Sequence, residues 1–279
     1  MSSTASHTLE MLIHLRHMGA PTPAVHIGLT LAQRLGAWAN GLYVVPIATA
    51  AFASPEAIAL YVNEADAQYK EALHYGPTWR AQRDAHGVGG DWMVAQGDVI
   101  ESLCHASRWC DLLVVEQSQF NRDAPTGWGV VSRTVFGASA PVLVVPETVK
   151  PTQVGERIVV AWNQSREGML AIRGALPLLM RAAHVLVLEG DADESPFGLR
   201  YLPKPDLRAW LARHGVQAQF ETFGAPKNPG VTLLDIAHAA NADLIVMGAW
   251  GHSRITELVL GGTTRHLFQN SDLPLLVAH

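Results

Sequence analysis

Two kinds of hydrophobic pattern alternate along the chain. Short, nearly unbroken apolar runs such as "LLVVE", "VLVVP", "IVVAW", "VLVLE" and "LIVMG" are separated by longer segments with helically spaced apolar positions. The first pattern marks strands buried on both faces, and the second marks amphipathic helices. In the first half this predicts strands at 9–16, 41–47, 91–97, 111–116 and 141–146. Helices are predicted at 24–37, 55–86 (one long element), 99–109 and 130–137. In the second half it predicts strands at 157–162, 184–190, 216–224, 243–248 and 274–279. Helices fall at 165–182, 203–215, 229–242 and 263–271, with Ser165 as the N-cap of the first and Gly215 ending the second. Strands alternating with helices in this way imply an α/β protein with a parallel sheet covered on both faces.

The two halves repeat each other. "DLLVVEQSQF" at 111 and "DLIVMGAWGH" at 243 lie 132 residues apart. The same offset superimposes Val99 on Val231, Arg122 on Arg254, Gly129 on Gly261, Ser132 on Thr264, Arg133 on Arg265 and Phe136 on Phe268. One residue of slippage then aligns "PVLVV" with "PLLVA". A polar, proline-containing stretch, "PETVKPTQVGER", divides the chain into domains at 1–150 and 151–279.

After the strand "DLIVMG" come Gly248 and Gly251, then Gly261-Gly262-Thr263-Thr264 at the head of a helix. Glycines cost about 1 kcal/mol each inside regular structure. Two readings stand side by side. The glycines make turns, or they let a ligand approach bare backbone. A helix N-terminus at the carboxyl end of a parallel strand is where a phosphate would bind.

Composition narrows the classes. The 279 residues, 48% hydrophobic, suffice for one core per half, and the net charge of −5 is spread without a long basic run, which argues against a nucleic-acid partner. Cys104 and Cys110 form neither a CxxC pair nor a disulfide framework, which fits a reducing, cytoplasmic setting. The N-terminus lacks the order of a signal peptide. The longest uncharged run, 35–55, contains glycine, asparagine and proline and reads as helix end, strand and loop, so no membrane span is expected. No P-loop, H-E-x-x-H or G-x-S-x-G is present. His14 and His17 have no nearby acid or cysteine to complete a metal site, and His252 and Ser253 have no orienting carboxylate for catalysis.

Gly248-xx-Gly251-(nine residues)-Gly261 resembles the G-2x-G-9x-G(S/T) phosphate and ribose motif of the universal stress protein family. The surrounding "DLIVMGAWGHSRITELVLGGTTRHLFQNSDLPLLVAH" is similar to that family's C-terminal third. The resemblance implies two tandem open parallel five-stranded sheets with strand order 3-2-1-4-5. It also implies dimer formation through the last strand, here an internal pseudo-dimer that brings 142–145 near 275–278. A further homodimer is compatible with it. Finally it implies ATP or a related adenine nucleotide, with magnesium, in the second half. By resemblance the site residues are Asn163, Val187, Leu188, Gly248, Gly251, Gly261, Gly262, Thr263 and Thr264, with Val187 and Leu188 offering backbone to adenine.

Departures from the family pattern matter. Asn163 stands where nucleotide-binding members carry an Asp, so a negative charge is lost. Gly262 takes the place of a Ser or Thr. In the first half Glu116 and Gln119 replace Gly248 and Gly251, and Val130 and Val131 replace Gly262 and Thr263. A carboxylate there repels phosphate, so the first domain is expected to hold no nucleotide. The resulting expectation is a nucleotide-binding stress-response regulator that acts through an unidentified partner protein, with slow ATP hydrolysis at most. The alternative is a scaffold whose site has decayed.

Overall fold

The computed structural model describes residues 8–47, 55–117, 129–150, 153–190, 203, 205–224, 226–249 and 261–279, without the side chains of 55–61. The first half runs β1 (Glu10–Leu15), α1 (Pro23–Leu35), β2 (Trp38–Pro46), α2 (Pro55–His74), α3 (Gly76–Ala85), β3 (Trp92–Gly97), α4 (Val99–Ala106), β4 (Leu112–Gln117), α5 (Val130–Gly137) and β5 (Val142–Pro146). The second runs β6 (Arg157–Trp162), α6 (Arg166–Leu179), β7 (His184–Glu189), α7 (Leu207–Arg213), β8 (Ala218–Thr222), α8 (Pro229–Ala239), β9 (Leu244–Gly248), α9 (Gly262–Asn270) and β10 (Leu275–Ala278).

Each half has the expected strand order, and the two sheets meet through their last strands, as expected. They join as one ten-stranded sheet, β3-β2-β1-β4-β5-β10-β9-β6-β7-β8. The seam is the only antiparallel pairing among the described strands, with Leu275 opposite Val144, Leu276 opposite Leu143 and Val277 opposite Val142. All strand residues at the seam are buried. Alternate side chains along each strand therefore feed two cores, one on each face. Val25 of α1, Trp79 of α3, Ile172 of α6 and Leu211 of α7 pack on one face. Leu103 of α4, Val135 of α5, Leu233 of α8 and Leu267 of α9 pack on the other.

Local chemistry sets the element ends. The Ser165 hydroxyl accepts from the Gly168 N–H at 3.0 Å and caps α6 as expected. The single helix expected at 55–86 is two helices. Tyr75 separates them, and Pro77 falls in the first turn of α3, where its missing N–H costs no hydrogen bond. Helix α7 starts at Leu207 rather than at 203 because the Asp206 carboxylate caps it, accepting from Arg208 N–H at 2.8 Å.

The repeated aspartates hold strands. Asp111 accepts from the Glu10 N–H at 2.8 Å. Asp243 accepts from the N–H groups of Gly155, Glu156 and Arg157 at 2.6, 2.9 and 3.0 Å, fixing the entry into β6. Burial pushes the Asp243 carboxyl above its ordinary range, against the pull of those three donors. Arg34 of α1 crosses to the second half, donating to the Val154 carbonyl and pairing with Glu156 at 2.8 Å.

Candidate functional site

In the second half β6 lies between β7 and β9, so successive strands depart to opposite sides of it. A cleft of about 310 Å³ opens beyond the carboxyl ends of these strands. This is the switch point at which open parallel sheets place ligands. Its walls come from Ala161, Trp162 and Asn163 after β6, Leu188 and Gly190 at β7, and Phe223 after β8. Leu233 of α8, Met247 and Gly248 of β9, and Gly261, Gly262, Thr263 and Thr264 at the head of α9 complete it.

The structure brings together seven of the nine expected residues: Asn163, Leu188, Gly248, Gly261, Gly262, Thr263 and Thr264. Val187 points its side chain into the opposite core, fully buried. Gly251 lies outside the described residues, as do Gln119, Arg122, His252, Ser253 and Arg254. Arg265 is absent from the cleft wall; its buried Nε has no hydrogen-bond partner among the described residues. Trp162, Phe223, Leu233 and Met247 were missed by sequence reasoning. Their signal was positional, since Trp162 and Phe223 sit at or just past the carboxyl ends of β6 and β8, the two strands that flank β7.

The glycines have different physical reasons. A Cβ on Gly248 would lie 2.5 Å from the Gly168 nitrogen and 2.8 Å from the Glu167 carbonyl carbon, so the bare backbone there lets α6 seat against β9. A Cβ on Gly262 would meet nothing within 4 Å, so packing among the described residues does not demand a glycine there. Gly261 is the N-cap of α9 and supplies no side-chain cap; the first turn contains no acidic residue. The helix therefore presents uncapped N–H groups and about half a unit of positive charge toward the cleft. Thr264 is buried and Thr263 half-buried beside them. None of the described residues lining the cleft is acidic.

The corresponding place in the first half is built differently. Strand registers superimpose Met11 and Leu112 on Ile158 and Leu244. His14, Arg16 and Glu116 then occupy the positions of Ala161, Asn163 and Gly248. Arg16 Nη1 lies 3.5 Å from Glu116 Oε1 and 3.6 Å from Glu147 Oε2. Glu116 is buried, and its Oε2 has no hydrogen-bond partner among the described residues. Burial, reinforced by the Arg16 charge, lowers the His14 pKa to about 4. A charged and titratable cluster thus stands where the second half has its cleft. Among the described residues no group of three or more His, Cys, Asp or Glu could hold a metal, and no helix is long and apolar enough to cross a membrane.

Fold and cleft define a class: two open parallel α/β domains joined edge to edge, with a glycine-headed helix facing a cleft in the second. Residues 155–279 match the model of the Universal stress protein family. The fold extends over the whole molecule. A universal stress protein from Archaeoglobus fulgidus DSM 4304 superimposes with a TM-score of 0.70 at 17% identity, covering 96% of this chain and 97% of its own. A putative universal stress protein from Pseudomonas aeruginosa UCBPP-PA14 does so with a TM-score of 0.59 at 16% identity, covering 98% and 93%. No curated protein matches the sequence.

Proposed function

We propose that the second-half cleft binds an adenine nucleotide, ATP or a relative, and that occupancy alters contacts with a partner protein in a stress response. One observation carries this reading: the uncapped N-terminus of α9, with open space at Gly262, faces a cleft whose far wall is apolar. A phosphate fits the first feature and a purine ring the second. Leu188, Phe223 and Leu233 would bury the base, and the N–H groups and hydroxyls of residues 262–264 would hold phosphate. Magnesium, when present, would be carried by the phosphates, because the described residues of the cleft wall offer no carboxylate. Among the described residues the same wall offers no general base, and the reading is therefore of binding, with hydrolysis slow at most.

On this reading the domain at 1–150 is a structural partner that holds no nucleotide, and the domain at 151–279 carries the site. The Arg16–Glu116 pair supports that division, since it puts a carboxylate where phosphate or ribose would lie. Calorimetric titration of nucleotide-free protein with ATP, with and without magnesium, tests both points. Saturation near one site per chain is expected, and two sites would overturn the assignment of the first half. A second reading, a scaffold without nucleotide, is favoured by the engagement of the Asn163 amide oxygen within the chain. No heat at millimolar ATP would establish it over the first.

A further inference from the structure

Asn163 is held in one orientation by a short relay. Its Oδ1 accepts from the Ser165 backbone N–H at 3.3 Å and from the Ser165 hydroxyl at 2.7 Å. A backbone N–H can only donate, so the atom facing it must be the amide oxygen. The hydroxyl agrees, because its oxygen already accepts from Gly168 N–H at 3.0 Å and its proton is left for Asn163. Among the described residues the Nδ2 group of Asn163 makes no hydrogen bond. Asn163 lines the cleft, so its unspent polar capacity there is two N–H donors.

Strand order says what those donors meet. The sheet runs β9-β6-β7 across the cleft. Adjacent strands are about 4.8 Å apart, so β9 and β7 are separated by about 10 Å. With phosphate at the head of α9, beyond β9, and the base against Leu188 of β7, the sugar lies over the end of β6, at Trp162 and Asn163. A donor at this place suits a sugar oxygen that accepts, and it suits negative charge better than a carboxylate does.

Resting on the nucleotide reading above, we infer that Asn163 sets specificity at the sugar. The cleft takes nucleotides bearing a phosphoryl group on a ribose hydroxyl as readily as those with a free diol. The probes are AMP, adenosine 2′,5′-bisphosphate and adenosine 3′,5′-bisphosphate, titrated at fixed ionic strength into nucleotide-free wild type and Asn163→Asp. An aspartate keeps both acceptor bonds to Ser165 while restoring a charge, so the fold is maintained. In the wild type, at least one bisphosphate binds within about threefold of AMP, and Asn163→Asp raises the ratio of its Kd to that of AMP by about tenfold or more. Two results overturn the inference while leaving nucleotide binding intact. One is that both bisphosphates bind the wild type at least tenfold more weakly than AMP; the other is a ratio unmoved in Asn163→Asp. Failure of both AMP and ATP to bind the wild type removes the nucleotide reading itself, and this inference with it.

Discussion

Acidification should expose the buried His14 as a measurable loss of stability. The side chain sits in β1 with 8% of its surface exposed, and burial together with Arg16 holds its pKa at about 4, against 6.5 in a free chain. Between these two values the unfolded chain binds a proton that the folded chain refuses. Stability therefore rises with pH across this window: the contribution is whole above pH 6.5 and is lost as pH falls toward about 4. The pKa gap corresponds to roughly 3 kcal/mol, of which about 2.5 kcal/mol is lost by pH 4.5. Urea unfolding of wild type and His14→Leu at several pH values from about 7.5 to about 4.5 isolates this term, since the other titrating groups cancel in the difference. Leucine keeps an apolar side chain of similar size in β1 and removes the titration. The wild type should lose about 2.5 kcal/mol more than the variant over that range. Parallel stability curves would refute the reasoning, because they would mean that His14 takes up its proton in the folded state as easily as in the unfolded one.

Three further outcomes follow from the geometry. Gly248→Ala forces a methyl group onto the backbone of α6 and should destabilise by about 1–3 kcal/mol, whereas Gly262→Ala, with nothing within 4 Å of the new atom, should leave thermal stability nearly unchanged; equal melting temperatures for the two variants would contradict the assigned roles. Arg16→Ala leaves Glu116 buried without its cation and should cost about 1–2 kcal/mol in denaturant unfolding, discounted from the fully buried case because Arg16 is more than a third exposed; Arg16→Ala with Glu116→Gln should recover much of it, and no recovery would mean that the arginine acts by packing alone. Burial, helped by Asp111, pushes the Cys110 thiol up to about 12, so at pH ~8 it should react with a disulfide reagent slower than in the unfolded chain by on the order of a thousandfold, and ready reaction in the native protein would contradict its burial.

Strand positions were legible because parallel strands covered on both faces leave an unmistakable apolar run; all ten appear within a few residues of where "LLVVE" and its counterparts place them. Ser165 was equally legible, because a cap is a local hydrogen bond written into three residues. The break at Tyr75 was not read, because the apolar spacing continues through it and only Gly76-Pro77 marks the interruption. The glycine signal falls on residues that line the cleft, but it could not separate a glycine needed by α6 from one with open space around it. That distinction depends on a helix 80 residues away in sequence approaching Gly248. Trp162 and Phe223 were missed because a wall formed by the ends of adjacent strands is a property of register, not of local pattern. The Arg16–Glu116 contact was hidden for the same reason: it joins residues 100 apart, and the sequence shows only that a charge replaced a glycine.

The β5–β10 seam has an evolutionary consequence. In a two-fold symmetric dimer every substitution appears twice, once in each subunit, so a site cannot be given up on one side and kept on the other. Here both partners of the seam are encoded in a single chain, and the pairing persists at any dilution because neither half can diffuse away. Each half accumulates its own changes while the other preserves the shared architecture. The molecule can therefore hold an ion pair at one strand end and bare glycine at the matching one, an asymmetry that identical subunits could never inherit.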